Sequence, residues 1–368
     1  MPTPGAIPTP TVNALALPAP APVAMPTSQH GRSDNPQLAL DGDGMVHLVW
    51  QDTQWRSTGL DILHKQRLSG SWSETVSLTD GFDVITPGSL ILFLNPAGQL
   101  YAGWEGAATA ASTHLGLYMR CQDGNHWTPP QLVGNTSATM RDIRPVYLQD
   151  SVARLVYTAN RGDIFFQDTQ LAAAHASELA VMPAVAVDSA GGYHAVWIRM
   201  GGNTKDVSAT PLWRLEYRYS ADGGRSWTEV QTLLNSDGLV ISLVRLESDR
   251  HVHLVWDTDG ALKYRRWTVA GGWEAPVPLS RTGTGNNGTT VGLAADRQGL
   301  AHVVWNNAGT VRYTRRRPDG SWTAPEVVSD GCAGGPGPQI AVDASGIRHI
   351  AWPSAEPDQE IIYRQLLP

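Results

Sequence analysis

Apolar residues occur in short runs that alternate with turn residues along most of this 368-residue chain. Runs such as LALD, VAVD and IAVD end at an aspartate, and runs such as HLVW and HVVW begin soon after a glycine. Short apolar runs bounded by Gly, Asp and Pro are typical of buried strands rather than helices. The pattern therefore predicts a protein built from many short strands.

One pattern recurs along the chain: Asp, two residues, Gly, two residues, His, two residues and Trp. It appears as DGDGMVHLVW, DSAGGYHAVW, DRQGLAHVVW and DASGIRHIAW, with the variants ESDRHVHLVW and NPAGQLYAGW and a degraded seventh copy, LQDSVARLVY. The aromatic residues that end the seven copies are Trp50, Trp104, Tyr157, Trp197, Trp256, Trp305 and Trp352. They stand roughly 40 to 60 residues apart, a period that predicts a solenoid, a propeller or an array.

Each unit contains four strand-like segments. An apolar segment precedes the Asp, the segment that ends in Trp follows, and LEYRY, LKYRR, VRYTR or IIYRQ comes third. A second tryptophan, as in GSWSE, RSWTE and GSWTA, leads into a fourth segment such as EVQTLL. Four antiparallel strands repeated radially predict an all-β fold, a seven-bladed β-propeller, and we expect one such domain over residues 28–368.

The first 27 residues are rich in proline and almost uncharged, which predicts an extended leader or linker. The last unit ends after its third strand, and an open sheet edge invites aggregation. The segment TVNALAL, residues 11–17, could close the ring by completing that unit. The alternative is that the whole leader is a disordered tail.

Composition limits the kinds of partner and ligand that we expect the protein to bind. The net charge of −7 and a pI near 5.9 argue against nucleic acid, and the basic run at 315–317 is interpreted as a solvated strand edge. No apolar run is long enough for a membrane helix, so we expect no membrane insertion. Cys121 and Cys332 lie too far apart in the sequence for a disulfide framework, and no metal-binding spacing occurs. We expect neither a cofactor nor a metal.

The stretch SADGGRSW, residues 220–227, falls between a third and a fourth strand segment, so it predicts a hairpin turn. An Asp, two glycines and a Trp suit a turn that caps its own amides and allows positive φ. The stretch resembles the Asp-box of sialidases and other BNR-repeat proteins, carried by Ser220, Asp222, Gly224 and Trp227. In that family the box lies on the face opposite the active site, so the resemblance implies a structural role.

The resemblance also implies what a sialidase site would contain: three arginines on the substrate carboxylate, an aspartate acid-base and a tyrosine nucleophile assisted by a glutamate. The family's Arg-Ile-Pro motif stands in an early blade, whereas the nearest string here, DIRPVYL, exchanges Arg and Ile and falls in the third unit. Sialidases also have six blades. These departures weaken the prediction of sialidase activity.

Five repeated histidines, one per unit, would be spread around a ring, so we predict that each bonds the Asp-Gly turn of its own blade. The repeat tryptophans are interpreted as packing between blades. Function in propellers usually lies at the mouth formed by second-to-third-strand loops and blade junctions. The ligand-binding candidates there are Asp52, Trp55, Glu105, Arg144, Asn160, Arg199, Trp213, Asp257 and Asn306.

These features predict an extracellular or cell-surface recognition module that binds a glycan, or alternatively a protein partner, without catalysis. We expect a monomer or a module tethered to a larger protein. The alternative hypothesis is a carbohydrate-active enzyme at the same mouth, either a polysaccharide lyase or a sialidase-like glycoside hydrolase. No catalytic residue can be named from the sequence.

Overall fold

Strands that are buried on both faces dominate the described chain. In a computed structural model, the second strand of several units, such as Val46–Asp52, Val252–Thr258 and Arg348–Pro353, is buried at every position. Such a strand reads as an almost continuous apolar run because both faces of its sheet are covered. The structure describes residues 23–25, 32–53, 55, 59–68, 70–86, 90–95, 97–109, 115–136, 141–147, 153–159, 162–174, 178–201, 212–236, 241–248, 251–258, 261–280, 291–329, 334–335, 337–355 and 359–368.

The described strands form seven antiparallel sheets, which we call blades 1 to 7. Within blades 1 to 6 the inner, second, third and outer strands follow one another in sequence, whereas the outer strand of blade 7 comes from the start of the chain. Blade 1 comprises Ser33–Leu40, Val46–Asp52, Asp61–Leu68, Ser71–Trp72 and Val76–Ser77; blade 2 Val84–Ile85, Ile91–Leu94, Leu100–Ala107, Leu115–Asp123, His126–Trp127 and Gln131–Thr136; blade 3 Arg141–Tyr147, Ala153–Ala159, Asp163–Phe166 and Thr169–Ala172; blade 4 Glu178–Val187, Tyr193–Gly201, Leu212–Ser220 and Gln231–Asn235; blade 5 Ile241–Ser248, Val252–Thr258, Ala261–Thr268, Gly272–Trp273 and Val277–Pro278; blade 6 Val291–Ala295, Ala301–Asn307, Thr310–Arg315 and Glu326–Val327; and blade 7 Gln339–Val342, Arg348–Pro353, Ile361–Leu366 and Val23–Met25. The predicted all-β, seven-bladed propeller with four antiparallel strands per blade is confirmed.

The ring closes in two ways. Each inner strand contacts the inner strand of the next blade, and the inner strand of blade 7 contacts that of blade 1. In addition, Val23–Met25 pairs antiparallel with Ile361–Leu366 as the outer strand of blade 7, with Val23 opposite Tyr363. The segment for which the sequence predicted this pairing, residues 11–17, lies outside the described residues. Blade 7 thus takes three strands from one part of the chain and the fourth from another.

The hydrophobic core lies between blades rather than within them. Six clusters of buried residues among those described each combine two neighbouring blades. Trp197 of blade 4, for example, packs with Phe166 and Leu171 of blade 3. All six repeat tryptophans are at most 2% exposed, which confirms their predicted packing role. Truncating such a side chain to alanine typically costs about 3–5 kcal/mol.

Four of the five repeated histidines, those of blades 1, 4, 6 and 7, bond the aspartate of their Asp-Gly turns as predicted. In blade 4, Asp188 accepts the amides of Ala190 and Gly192 through Oδ1, while Oδ2 lies 3.0 Å from His194 Nε2. The hydroxyl of Tyr217 lies 2.9 Å from Nδ1 of the same histidine. Because a carboxylate can only accept, Nε2 carries the histidine proton and Nδ1 accepts from the tyrosine.

The same chain of bonds recurs in other blades. In blades 6 and 7, Asp–His–Tyr chains are formed by Asp296, His302 and Tyr313, and by Asp343, His349 and Tyr363. In blade 1, Asp41 bonds His47, and His64 takes the place of the tyrosine. In blade 5 the described bond is that between His253 and Tyr264, and the repeat has Glu247 where blades 1, 4, 6 and 7 have Asp. Each described chain ties a turn to the third strand.

The stretch SADGGRSW forms the predicted hairpin turn between the third and outer strands of blade 4. Asp222 accepts from the amide and hydroxyl of Ser226 and from the hydroxyl of Ser220, and these bonds lower its pKa to about 2. Gly224 has φ +85°, and a Cβ there would lie 2.6 Å from Phe166. Glycine is therefore required at this position both by conformation and by the close approach of blade 3.

We predict that acid destabilises the ring through these histidines. Burial lowers the pKa of His302 from 6.5 to about 4 and that of His253 to about 3. Below pH 6.5 these histidines bind protons in the unfolded chain but not in the folded chain, so the free energy of unfolding falls as pH drops towards 4. Each such histidine contributes about 1.4 kcal/mol per pH unit in this window. Urea unfolding at pH 7, 6, 5 and 4.5 measures the slope.

His302→Gln provides the control, because glutamine can bond the same two partners without titrating in this range. The variant should lose less stability per pH unit than the wild type, even if it is less stable at pH 7. An identical acid slope in the two proteins would show that His302 does not contribute to the acid sensitivity.

We also predict that the closing strand stabilises blade 7. Deleting residues 1–25 removes the outer-strand partners of Ile361, Ile362 and Tyr363 and exposes an unpaired edge. The thermal midpoint should fall, or the protein should associate. Deleting residues 1–20 keeps the strand and serves as the matched control. If both deletions melt alike and remain monomeric by light scattering, the pairing contributes nothing to stability.

Candidate functional site

The ligand-binding candidates that the structure describes lie on one face of the ring, which we call the mouth. It is the face where second strands end, third strands begin and one blade leads to the next. Five candidates lie at or near the ends of second strands: Asp52, Glu105, Arg199, Asp257 and Asn306. Trp213 begins a third strand, Trp55 follows a second strand, and Arg144 belongs to the inner strand of blade 3. Asn160 lies outside the described residues.

Strand alternation divides these candidates between the two faces of their blades. Asp52 and Arg199 follow the repeat tryptophan by two positions, so they share its face of the sheet. Glu105, Asp257 and Asn306 follow it by one position and point to the opposite face. The set that the sequence groups by position is therefore distributed over two kinds of environment.

The sequence placed these candidates at the loops of the mouth, and three of them are instead buried within strands. Asp52 is 0% exposed, Asp257 1% and Arg199 5%. The reason is that the second strands continue past the repeat tryptophan, so these side chains still lie inside the ladder between blades. Asn306 is half-buried, and its amide donates to the carbonyls of Gly334 and Gly335 at the next blade junction.

Blade 1 presents a pair of acidic residues at the mouth. Asp52 lies directly opposite Asp61 on the neighbouring strand, and both are buried. Asp52 Oδ2 accepts from the hydroxyl of Ser33 at 2.9 Å, and Asp61 Oδ1 accepts from Thr79 at 3.1 Å. Since opposite residues on antiparallel strands have Cβ atoms about 5 Å apart, the two carboxylates are neighbours.

Blade 4 carries two arginines and two glutamates at the mouth. Glu216 Oε2 accepts from Arg199 Nε at 2.8 Å and from the indole of Trp197 at 2.7 Å. Arg214 Nη2 donates to Glu178 at 2.8 Å, and its Nε lies 3.3 Å from Glu216. We call these four charged residues the blade 4 network.

The blade 4 network is balanced in charge and joins two blades. Arg199 Nη1 donates to the carbonyl of Ala173, which precedes the inner strand of blade 4 on the blade 3 side. Burial alone would lower the pKa of Arg214, but the bonds and charges of Glu178 and Glu216 outweigh it and raise that pKa. The positive charges of this network are thus paired inside the protein.

Of the blade 4 network, only Arg199 is among the residues predicted from the sequence. Glu178, Arg214 and Glu216 are not, and neither is Asp61 of blade 1. The available signal is the alternation of charged residues in RLEYR, which puts Arg214 and Glu216 on one face of a third strand. Recognising their partners requires the register between strands. The two candidate tryptophans also differ: Trp213 packs against a core cluster at the blade 4 to blade 5 interface, whereas Trp55 is 41% exposed.

The described residues contain no group of three or more His, Cys, Asp or Glu side chains placed to hold a metal ion. No described helix has the length and apolar character needed to span a membrane.

Comparison with known proteins shows the fold alone. No family model matches the chain, and no curated protein matches it. Among solved structures, an ulvan lyase of a new polysaccharide lyase family has a TM-score of 0.59 at 8% identity, over 92% of this chain and 94% of that one. The α-L-arabinanase of Penicillium chrysogenum has a TM-score of 0.54 at 11% identity, over 95% and 98%. A Hadza microbial sialidase has a TM-score of 0.50 at 12% identity, over 92% and 66%.

The blade 4 network generates a stability prediction. Glu216→Ala leaves Arg199 buried without its principal partner, and breaking a buried pair by removing one member costs about 3–5 kcal/mol. Glu178→Ala removes a more exposed carboxylate and should cost about 1 kcal/mol or less. Chemical denaturation of both variants measures the difference. Equal losses in the two variants would show that Glu216 is not the centre of the network.

Proposed function

We propose that the protein is an extracellular recognition module that binds a glycan at the mouth without cleaving it. The observation that carries this proposal is the exposure of Trp55. The chain has 14 tryptophans, all of them described, and the other 13 are buried or half-buried. Trp55 alone is exposed, and it follows the second strand of blade 1 on the mouth face.

An exposed indole suits a sugar better than most ligands. Its flat apolar face can stack on the C–H face of a pyranose ring, while its N–H remains available for a hydroxyl group. Neighbouring acceptors would then fix the orientation of the ring. Half-buried Glu105 occupies the mouth end of the next blade, whereas Asp52, three positions before Trp55, is fully buried and bonded to Ser33. The combination of a stacking surface and a partly exposed carboxylate supports glycan binding over a protein partner.

The pairing of the mouth arginines supports a non-catalytic role. A sialidase-type site needs arginines free to clamp a substrate carboxylate. Arg199 and Arg214 are already held by Glu216 and Glu178. Binding in this proposal depends on shape, stacking and hydrogen bonds.

The fold neighbours support the same substrate class. Their names describe an arabinanase, a sialidase and an ulvan lyase, all of which act on glycans. We extend the proposal to an extracellular or cell-surface location and to a monomer or tethered module. The turn at Ser220 to Trp227 is consistent with a BNR-type repeat, since its Asp bonds the turn and its Trp covers the neighbouring blade.

A glycan array followed by titration tests the proposal. With the best glycan of the array, Trp55→Ala should weaken binding by about tenfold to a hundredfold, as expected for a stacking residue at the centre of a site. Trp55→Phe keeps an aromatic face and should lose less. Stability should change by no more than about 0.5 kcal/mol, because the side chain is exposed. Val269→Ala, an exposed position on the opposite face, is the matched control.

Two results would contradict the proposal. Unchanged affinity of Trp55→Ala would remove this tryptophan from the site. Cleavage of the bound glycan, followed by chromatography of the products, would replace recognition with the alternative of a carbohydrate-active enzyme. In that case Glu105→Gln, at the partly exposed carboxylate of the mouth, should reduce turnover by at least about a hundredfold while binding persists.

A further inference from the structure

The face opposite the mouth carries a cleft between blades 6 and 7. Its volume is about 470 Å³, which lies in the usual range for small-ligand sites. The walls are the hairpin after the inner strand of blade 6, the corresponding hairpin of blade 7, and residues 315–318 at the end of a third strand. The basic run that sequence analysis interpreted as a solvated edge therefore lines a concave site.

The cleft is basic within an acidic protein. Four arginines line it, Arg297, Arg315, Arg316 and Arg317, against two aspartates, while the chain as a whole has a net charge of −7. Arg316 is paired with Glu274 of blade 5 at 3.2 Å, so the positive charge offered to a ligand comes from the other three. Both aspartates are committed to the turns described above. Asp296, for example, accepts two backbone amides through Oδ1, and its Oδ2 lies 3.2 Å from His302 Nε2. The carboxylates thus offer few free acceptor sites to the cleft.

Comparison with blade 5 shows why Arg315 is available. Arg266 lies opposite the repeat histidine of blade 5, as Arg315 does in blade 6. Glu274, the residue after the second tryptophan of blade 5, accepts from Arg266 Nε at 2.8 Å. Blade 6 has Thr323 at the matching position, and among the described residues no carboxylate pairs with the Arg315 guanidinium. Blade 6 therefore repeats the arginine without its counter-ion.

Nearby groups hold the cleft in shape and add to its positive potential. Arg317 Nη1 donates to the hydroxyl of Ser321 and the carbonyl of Trp322, which fixes one wall. Arg348, next to the blade 7 hairpin, is 8% exposed and lies over the ring of Tyr313 at 5.5 Å. Its buried Nε and Nη1 have no hydrogen-bond partner among the described residues.

We propose that this cleft binds an oxyanion group, a sulfate or a carboxylate, with Arg315 and Arg297 as the principal ligands and Arg317 as a positioned third donor. Guanidinium groups bond such anions through two N–H groups at once, which gives strength and orientation. The group can be a free ion or a substituent of an acidic sugar, since the volume admits either. The site lies on the opposite face from Trp55 and does not depend on the function proposed for the mouth.

Titration with defined probes tests the site. Sodium sulfate, a sulfated disaccharide and its unsulfated counterpart are titrated into the full chain by calorimetry at constant ionic strength. We expect saturable binding of the sulfated probes and none of the unsulfated one. Tighter binding of the sulfated disaccharide than of sulfate assigns the anion to a glycan, and equal binding assigns it to a free ion. If no probe saturates, the proposal is wrong.

Three variants locate the binding. Arg315→Ala should weaken it by at least about tenfold. Thr323→Glu recreates the carboxylate that blade 5 has at this position and should weaken binding equally while all arginines remain. Arg225→Ala removes an exposed arginine from a turn on the same face and should change affinity less than about twofold. Equal losses in Arg225→Ala and Arg315→Ala would indicate general charge attraction and overturn the proposal.

Sulfate also stabilises proteins by exclusion from their surface, so thermal shifts need the same comparison. Sulfate should raise the thermal midpoint of the wild type more than that of the Arg315→Ala variant. In sodium chloride the two proteins should melt alike. Trp55→Ala should bind the sulfated probes as the wild type does.

Discussion

The bond between a buried histidine and the aspartate of its own turn is the interaction on which the ring depends. Packing blades face to face leaves the second strands without access to water, so a polar side chain placed there needs a partner. The aspartate satisfies the turn amides with one oxygen and the histidine with the other, and the histidine passes the chain of bonds to the third strand. In blades 1, 4, 6 and 7, three strands are thus held in register at one face.

This arrangement explains where the blades resemble each other and where they differ. At the turn face, blades 4, 6 and 7 repeat the same Asp–His–Tyr chain. Blade 1 varies it without breaking it: His64 donates to His47 and accepts from the indole of Trp127, which belongs to blade 2. At the mouth the same strand positions hold aspartates in blade 1 and arginines in blade 4. Because the bonds at the turn face hold these blades together, the residues at the mouth can differ from blade to blade.

The repeat made the fold predictable, and the mouth was predictable only in part. Blade number, the packing of the tryptophans and the role of the histidines all follow from a motif that recurs along the chain with the same internal spacing of Asp, Gly, His and Trp. The burial of Asp52 and Arg199 cannot be predicted from the repeat, because it depends on how far a strand continues and on which face a side chain points. Partners such as Glu216 come from register between strands distant in sequence. Arg315 shows the same limit, since its availability follows from what blade 6 lacks at Thr323.

The closing strand has a consequence for how the protein folds. Val23–Met25 and Ile361–Leu366 are separated by about 340 residues, so their pairing is a contact of very long range. Bringing such distant segments together in a flexible chain costs roughly 5 kcal/mol of loop-closure entropy, a cost that falls once the intervening blades have formed. Non-local pairing of this kind slows folding. During synthesis, the blades in the middle of the chain can assemble first, and the ring is sealed only after the third strand of blade 7 has left the ribosome.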